Sequence, residues 1–368
     1  MKKYFFLTVA ALAALVSCAK VDVAGTQGDK PISFRVARYS QTKAESDYKT
    51  DYQDVPFGVY SWFKGVSASD NTTFMTNEKV SYSAAGNEWL PTTTYYWPKS
   101  GSLDFICYSP YSADTQRFSI GENRIAFNAY TVGTDDLMYG DKAAGLTDNK
   151  DTYYYNGVPV LFHHALAQVS FAVKAAYLQK TADTGDVTKW EITVNSVKLE
   201  GVHTTGDLAL SLDGTAWKIP ESKVWTASEE VKDLTLDAKD LTVLTAEAQP
   251  VGEEMLVLPQ LLEQGPQIVL NLTIKTYRDT GNGFTLVLTE NKIDVKGRLW
   301  LKDLPQWGIN QKITYTLAIA PTRSTGKDPE HPDNPVDPQD PDLKDAVITF
   351  DPAVSDWQPV QVNAGITL

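Results

Sequence analysis

The chain has 368 residues, a formal net charge of −13, 42% hydrophobic and 11% aromatic residues, and two cysteines. An acidic balance of this size argues against nucleic acid as a partner and against an electrostatic hold on anionic lipid. The apolar content is enough for a packed core, and the length fits two domains of ordinary size or one large one.

In chain order, Met1-Lys2-Lys3 is a short positive segment, followed by an apolar run from Tyr4 to Val16. That run has the length of a signal-peptide core and is too short to span a bilayer comfortably. It ends in Leu15-Val16-Ser17-Cys18-Ala19, an aliphatic residue, two further residues and a Cys, which resembles a bacterial lipobox. The resemblance implies that residues 1–17 are a lipoprotein signal peptide and that Cys18 is lipidated. Acyl chains, at about 0.8 kcal/mol per buried methylene, then anchor the domain without a transmembrane helix. An ordinary secretory signal with an incidental Cys is the other reading. With Cys18 lipidated, Cys107 has no partner for a disulfide. Residues 18–30 are small and polar and read as a tether.

Pro31 to Arg38 alternates, with Ile32, Phe34 and Val36 on one face and Ser33, Arg35 and Ala37 on the other. This is a strand with one buried face. Tyr39 to Asp54 is polar, charged and aperiodic, and reads as a long exposed loop. Short strands with turn punctuation follow, at Phe57–Phe63, Lys79–Ser83, Leu103–Tyr108 and Arg124–Phe127. Val158 to Lys174 reads as a strand, a kink near His163-His164, and a second strand. Further strands are expected at Lys189–Leu199, Met255–Gln260, Gln267–Arg278, Phe284–Leu288 and Gln311–Ala320, with Asp279-Thr-Gly-Asn-Gly283 as a hairpin turn. The spacing predicts an all-β chain of two tandem antiparallel β-sandwich domains, residues 31–180 and 181–321, with a C-terminal extended tail.

From 322 to 344 the composition turns to Pro and acidic residues, a stiff spacer that builds no core. Strand character returns over 345–368, at Ala346–Phe350 and again from Val360, where Val360, Val362, Ala364, Ile366 and Leu368 share one face. Such a strand either returns to its own sheet or inserts into another molecule.

No Gly-x-Ser-x-Gly, phosphate-binding Gly loop, His-Glu-x-x-His or Cys-x-x-Cys occurs in the sequence. No enzymatic activity, cofactor or metal is expected. His163 and His164 read as packing or hydrogen-bonding groups at a strand end. The Trp and Tyr residues read mainly as core, with a sugar-stacking platform as the alternative.

Tyr95-Tyr96-Trp97-Pro98, Leu103-Asp-Phe-Ile-Cys-Tyr-Ser-Pro110, Asp136-Leu-Met-Tyr139, Phe162-His-His-Ala-Leu-Ala167, Met255-Leu-Val-Leu-Pro-Gln260 and Trp307-Gly308 occur in an order that resembles the fimbrillin (Mfa-like, FimA-like) proteins of Bacteroidetes. That resemblance implies two transthyretin-like sandwiches and a subunit of a type V pilus. It implies export as a lipoprotein to the outer membrane and cell surface, where an Arg/Lys-specific protease removes the first strand. The C-terminal strand of another subunit then fills the groove. The matching parts here are Ile32, Phe34 and Val36 as the removable strand, Arg38 as the favoured cut with Arg35 and Lys43 as alternatives, and Val360 to Leu368 or Ala346 to Phe350 as the donor. The expected partners are other pilin subunits, the outer membrane through the lipid, and a host or bacterial surface ligand. A non-polymerising surface lipoprotein that binds glycan or a host ligand is the alternative function.

Overall fold

The structure is a computed structural model and describes residues 27–36, 54–149, 152, 154, 157–182, 185–214, 216–236, 244–263, 265–279, 281–321 and 347–356. The first half runs β1 (Gln27–Pro31), β2 (Phe34–Val36), β3 (Phe57–Lys64), β4 (Thr72–Ser83), β5 (Glu88–Pro91), β6 (Tyr96–Pro98), β7 (Ser102–Ser109), β8 (Phe118–Gly121), β9 (Arg124–Thr131), β10 (Met138–Gly140), β11 (Ala143–Leu146), β12 (Val158–Val160) and β13 (Phe162–His164). The second half runs β14 (Ala167–Ala175), β15 (Gln179–Thr181), β16 (Val187–His203), β17 (Thr205–Asp213), β18 (Ala216–Lys218), β19 (Thr226–Ala227), β20 (Val231–Leu236), β21 (Gln249–Val257), β22 (Gln260–Leu261), β23 (Gln267–Asp279), β24 (Thr285–Arg298), β25 (Gln306–Trp307), β26 (Gln311–Ala320) and β27 (Val347–Asp356). Apart from 3-10 structure at Ala68–Asp70 and at Tyr154, the regular structure of the described residues is all β.

The largest sheet has the order β12-β2-β5-β4-β3-β7-β10-β13, with β11 also on β7. Its inner face buries Phe57, Val59, Phe105, Cys107, Trp89 and Trp97 in one apolar cluster. The second half stacks the sheet β21-β14-β26-β27 against β15-β16-β23-β24. Alternation explains the packing. Along β26, Ile313, Tyr315, Leu317 and Ile319 are all fully buried, as are Val169 and Val173 of β14. Most pairs are antiparallel, as expected, but β12–β2 and β14–β26 run parallel. Sequence alternation does not reveal strand direction, because either direction presents the same residues to the core.

The hairpin turn before β24 has the chemistry its sequence predicts. Gly281 and Gly283 both adopt positive φ (106° and 91°), and Asp279 Oδ1 accepts both of their amides, at 2.7 and 2.9 Å. β24 itself continues to Arg298, well beyond the expected Leu288.

The halves share a third apolar cluster that includes Tyr108, Ile125, Phe127 and Leu166 from the first and Leu208, Leu210, Trp225 and Leu258 from the second. Strand β17 of the second half pairs with β9 of the first. Trp225 Nε1 donates to the Ala165 carbonyl at 2.9 Å, and Trp217 Nε1 to the Gly140 carbonyl at 3.0 Å. The expected boundary between residues 180 and 181 cuts through the second half's core, since β14 precedes it yet packs with strands that follow it. Composition does not change at that point, so the sequence carried no mark of where the core changes.

Tyr315 anchors the second core. Its hydroxyl accepts Trp307 Nε1–H at 2.9 Å, both groups being buried, and its ring stacks on Phe171 with centroids 5.3 Å apart. Tyr315→Phe leaves the indole donor without that acceptor and is expected to lower unfolding stability by about 1–3 kcal/mol, read by urea denaturation.

Candidate functional site: the first strand and its groove

The first strand is two short pieces, where the sequence predicts one continuous strand. β1 pairs with β6, Ile32-Ser33 link the two pieces, and β2 enters the large sheet. β2 lies inside that sheet, parallel to β12 through Val158↔Phe34, Pro159↔Arg35 and Val160↔Val36, and antiparallel to β5 through Phe34↔Trp89 alone. At this link, the Ile32 amide donates to the Tyr95 carbonyl at 2.7 Å, and the Ser33 carbonyl accepts the Val158 amide at 2.8 Å. Ser33, expected to face solvent, is only 7% exposed, in a link whose backbone bonds to the Tyr95 and Val158 segments.

Side chains hold this strand more than its short ladder does. Phe34 is 0% and Ile32 1% exposed. The Phe34 ring meets Phe57 and Phe105 edge-on, with centroids 5.9 and 5.7 Å away, and Phe57 in turn packs on Trp89 and Phe162. Burying an Ile and a Phe contributes about 1.5–3 kcal/mol each. Val36 lies at the rim of the same cluster, half-buried. Taking the strand away removes few hydrogen bonds and uncovers an aromatic groove between β12 and β5. Sequence reasoning found the strand but not the groove walls, because Phe57, Trp89, Phe105 and Val158 come from four separate strands.

Arg35 is the one processing candidate among the described residues. It sits within β2, its Nε buried, and its stem packs on Gly157, where an added Cβ would lie 2.3 Å from Arg35 Cγ. Gly157 has φ +141°, so a side chain there is strained as well as crowded. Cys18, Arg38, Lys43 and the residues Val360, Val362, Ala364, Ile366 and Leu368 lie outside the described residues.

The first tail segment is described and lies on its own chain. β27 pairs antiparallel with β26 over ten consecutive positions, from Gln311↔Asp356 to Ala320↔Val347, as the edge of its sheet. Pro352 falls within this strand, a position that only an edge strand or bulge tolerates, since Pro has no amide proton for a ladder.

The two adjacent histidines each meet an aspartate. His163 Nε2 is 2.9 Å from Asp141 Oδ1 with Tyr139 stacked on its ring, and His164 Nδ1 bonds the buried Asp136 Oδ2. Among the described residues no group of three or more His, Cys, Asp and Glu is placed to hold a metal ion. Most of the aromatic residues are core, with Tyr96 and Phe284 the large exposed aromatics among the described residues. Cys107 is fully buried, and burial pushes its thiol far above the usual range.

A β-rich chain of two packed halves, with an internal strand near its N-terminus held by two buried side chains, defines the class of protein. A family model described as fimbrillin-like matches residues 42–357, and this chain belongs to that family. The crystal structure of a fimbrial protein from Bacteroides vulgatus is similar in fold, with a TM-score of 0.57 at 18% identity, covering 89% of this chain and 99% of that one. The tip fimbrial protein Mfa3 from Porphyromonas gingivalis, with a C-terminal truncation, aligns with a TM-score of 0.35 at 11% identity, covering 89% of this chain and 100% of that one. No curated protein matches this chain.

Two outcomes check the site. Phe34→Ala is expected to cost about 3–5 kcal/mol in urea unfolding, more than Val36→Ala at the rim. In a chain beginning at residue 19, Cys107 is expected to stay silent to a thiol-reactive dye until denaturant is added, and then to react fully.

Proposed function

We propose that this chain is a structural or accessory subunit of a type V fimbria. It is exported as a lipoprotein anchored through Cys18 to the outer membrane, reaches the cell surface, and joins other pilin subunits by protease-triggered strand exchange. Its role is cohesive rather than catalytic. The observation that carries this reading is the first strand: short ladders to β6, β12 and β5, two deeply buried side chains, and an aromatic groove beneath. A strand held this way is removable without dismantling the sheet, and the exposed groove then strongly favours a replacement.

The placement of Arg35 within paired β2, with its Nε buried, supports a cut beyond it, at Arg38 or, failing that, Lys43. A protease needs several residues of accessible extended chain, and a bond inside a paired strand does not offer them. For the donor, the tail segment Ile348-Thr349-Phe350 repeats the spacing of Ile32-Ser33-Phe34 with a hydroxyl residue between the two apolar ones. It therefore matches the two deepest pockets in size, whereas the apolar face of Val360 to Leu368 carries aliphatic residues and no aromatic one. Donation by the first segment requires β27 to leave β26, so its pairing there is a stored form.

Limited digestion of the lipid-free chain with an Arg-specific protease tests the proposal, with products read by mass spectrometry and by SDS-resistant ladders. The expected result is a cut after Arg38 followed by laddering, and no laddering once residues 345–368 are deleted. Phe350→Ala is expected to weaken the ladders more than Val362→Ala. Cutting without ladders in the intact chain, or ladders that survive the deletion, defeats strand exchange.

A further inference from the structure

Where the β7–β8 and β9–β10 connections meet, the molecule carries an open cleft that strand exchange does not use. Its volume is about 360 Å³, inside the range of roughly 300–1,000 Å³ common for small-molecule sites. One wall is the segment from Pro110 to Arg117; the other is the end of β9 and the turn that reaches Asp135.

Both walls are held by the protein itself. The hydroxyl of buried Tyr108 lies 2.6 Å from Asn77 Oδ1 and accepts the Ser112 amide at 3.2 Å, while Asn77 Nδ2 donates to the Ser112 carbonyl at 2.8 Å. The Tyr108 ring packs over Gly58, where a Cβ would come within 2.2 Å of it. Ser112 Oγ accepts the Asp114 amide at 3.1 Å, and Asp114 Oδ2 pairs with Arg117 Nε at 3.3 Å. On the opposite wall, Val132 donates to the Thr204 carbonyl at 2.8 Å, and the Thr131 and Thr205 hydroxyls are 3.0 Å apart. Immediately before Tyr130, Ala129 has a left-handed φ of 45°, its amide bonded to Asp207 Oδ1 at 2.6 Å, and the β9–β17 register shifts there. A strained non-glycine residue at a bulge is the kind of device that re-aims a side chain beside a functional site.

The lining is amphipathic in a particular way. Phe118 backs the cleft and half-buried Tyr130 lines it, with the Tyr130 ring 5.8 Å from Trp225. Burial, with Asp136 and Asp135 close by, raises the Tyr130 phenol's pKa, so it stays a neutral hydroxyl. Around this aromatic ground stand Asp114 and Asp135 as acceptors and Arg117 as a donor. A pyranose ring has the complementary form, a C–H face for the aromatic side and hydroxyls for the charged groups. Two carboxylates against one guanidinium, on a chain of net charge −13, disfavour an anionic sugar.

We propose that this cleft binds a neutral pyranose, a hexose or N-acetylhexosamine unit presented by a glycan. The proposal is independent of strand exchange.

The test is isothermal titration of the lipid-free chain with the methyl glycosides of glucose, galactose, mannose, N-acetylglucosamine and N-acetylgalactosamine, which stand for a sugar attached to a glycan. Sialyllactose serves as the anionic counterpart. The expected result is millimolar or tighter binding of at least one methyl glycoside, weakened about tenfold or more by Tyr130→Ala and by Arg117→Ala. Phe284→Ser, on the distant β23–β24 hairpin, is expected to bind as the parent does, and sialyllactose not to bind. Arg117 is half exposed, so Arg117→Ala keeps the fold and the test stands if Tyr130→Ala does not fold. Silence from all five glycosides, affinity unchanged by Arg117→Ala, or equal binding of sialyllactose overturns the proposal.

Discussion

The burial of Ile32 and Phe34 is the constraint on which the first half depends. Those two side chains close an aromatic cluster formed by Phe57, Trp89, Phe105 and Phe162, and their strand fills a sheet position between β12 and β5. Backbone pairing there is brief, so hydrophobic transfer and ring packing supply most of the hold. A strand secured mainly by side chains differs in this from a central strand with a long ladder. β16 and β23, paired across thirteen register positions, show the contrast within the same molecule.

The joint between the halves sets a second limit. Trp225 and Trp217 reach from the second half to backbone carbonyls of the first, and β17 continues a sheet begun by β8 and β9. Two satisfied indole donors, one buried and one part-buried, in a shared apolar cluster resist shearing at that joint. The same joint brings Trp225 beside Tyr130, so the cleft at the β9 end rests on residues of both halves.

The two ends of the chain meet different sheets. The first strand closes the large sheet of the first half, and β27 lies on β26 in the second half. One segment with the spacing Ile-x-Phe is buried deeply, and a second lies on an edge, paired with β26 over ten positions that include Pro352.

Much of this was legible in the sequence for a plain reason: side-chain alternation is a local property. The buried face of Ile32 and Phe34, the Asp279–Gly283 turn and the run from Ile313 to Ile319 follow from residue type and spacing alone. The family likeness was legible from the order of short motifs. What the sequence left undetermined is everything set by distant partners. It carried no sign that β2 and β12 run parallel, that β14 belongs with the second core, that Arg35 is wedged against Gly157, or that a bulge at Ala129 puts Tyr130 in a cleft with Arg117. Period-two patterning determines which face of a strand is buried; which strand lies beside it, and in which direction, is decided only when the whole chain closes on its core.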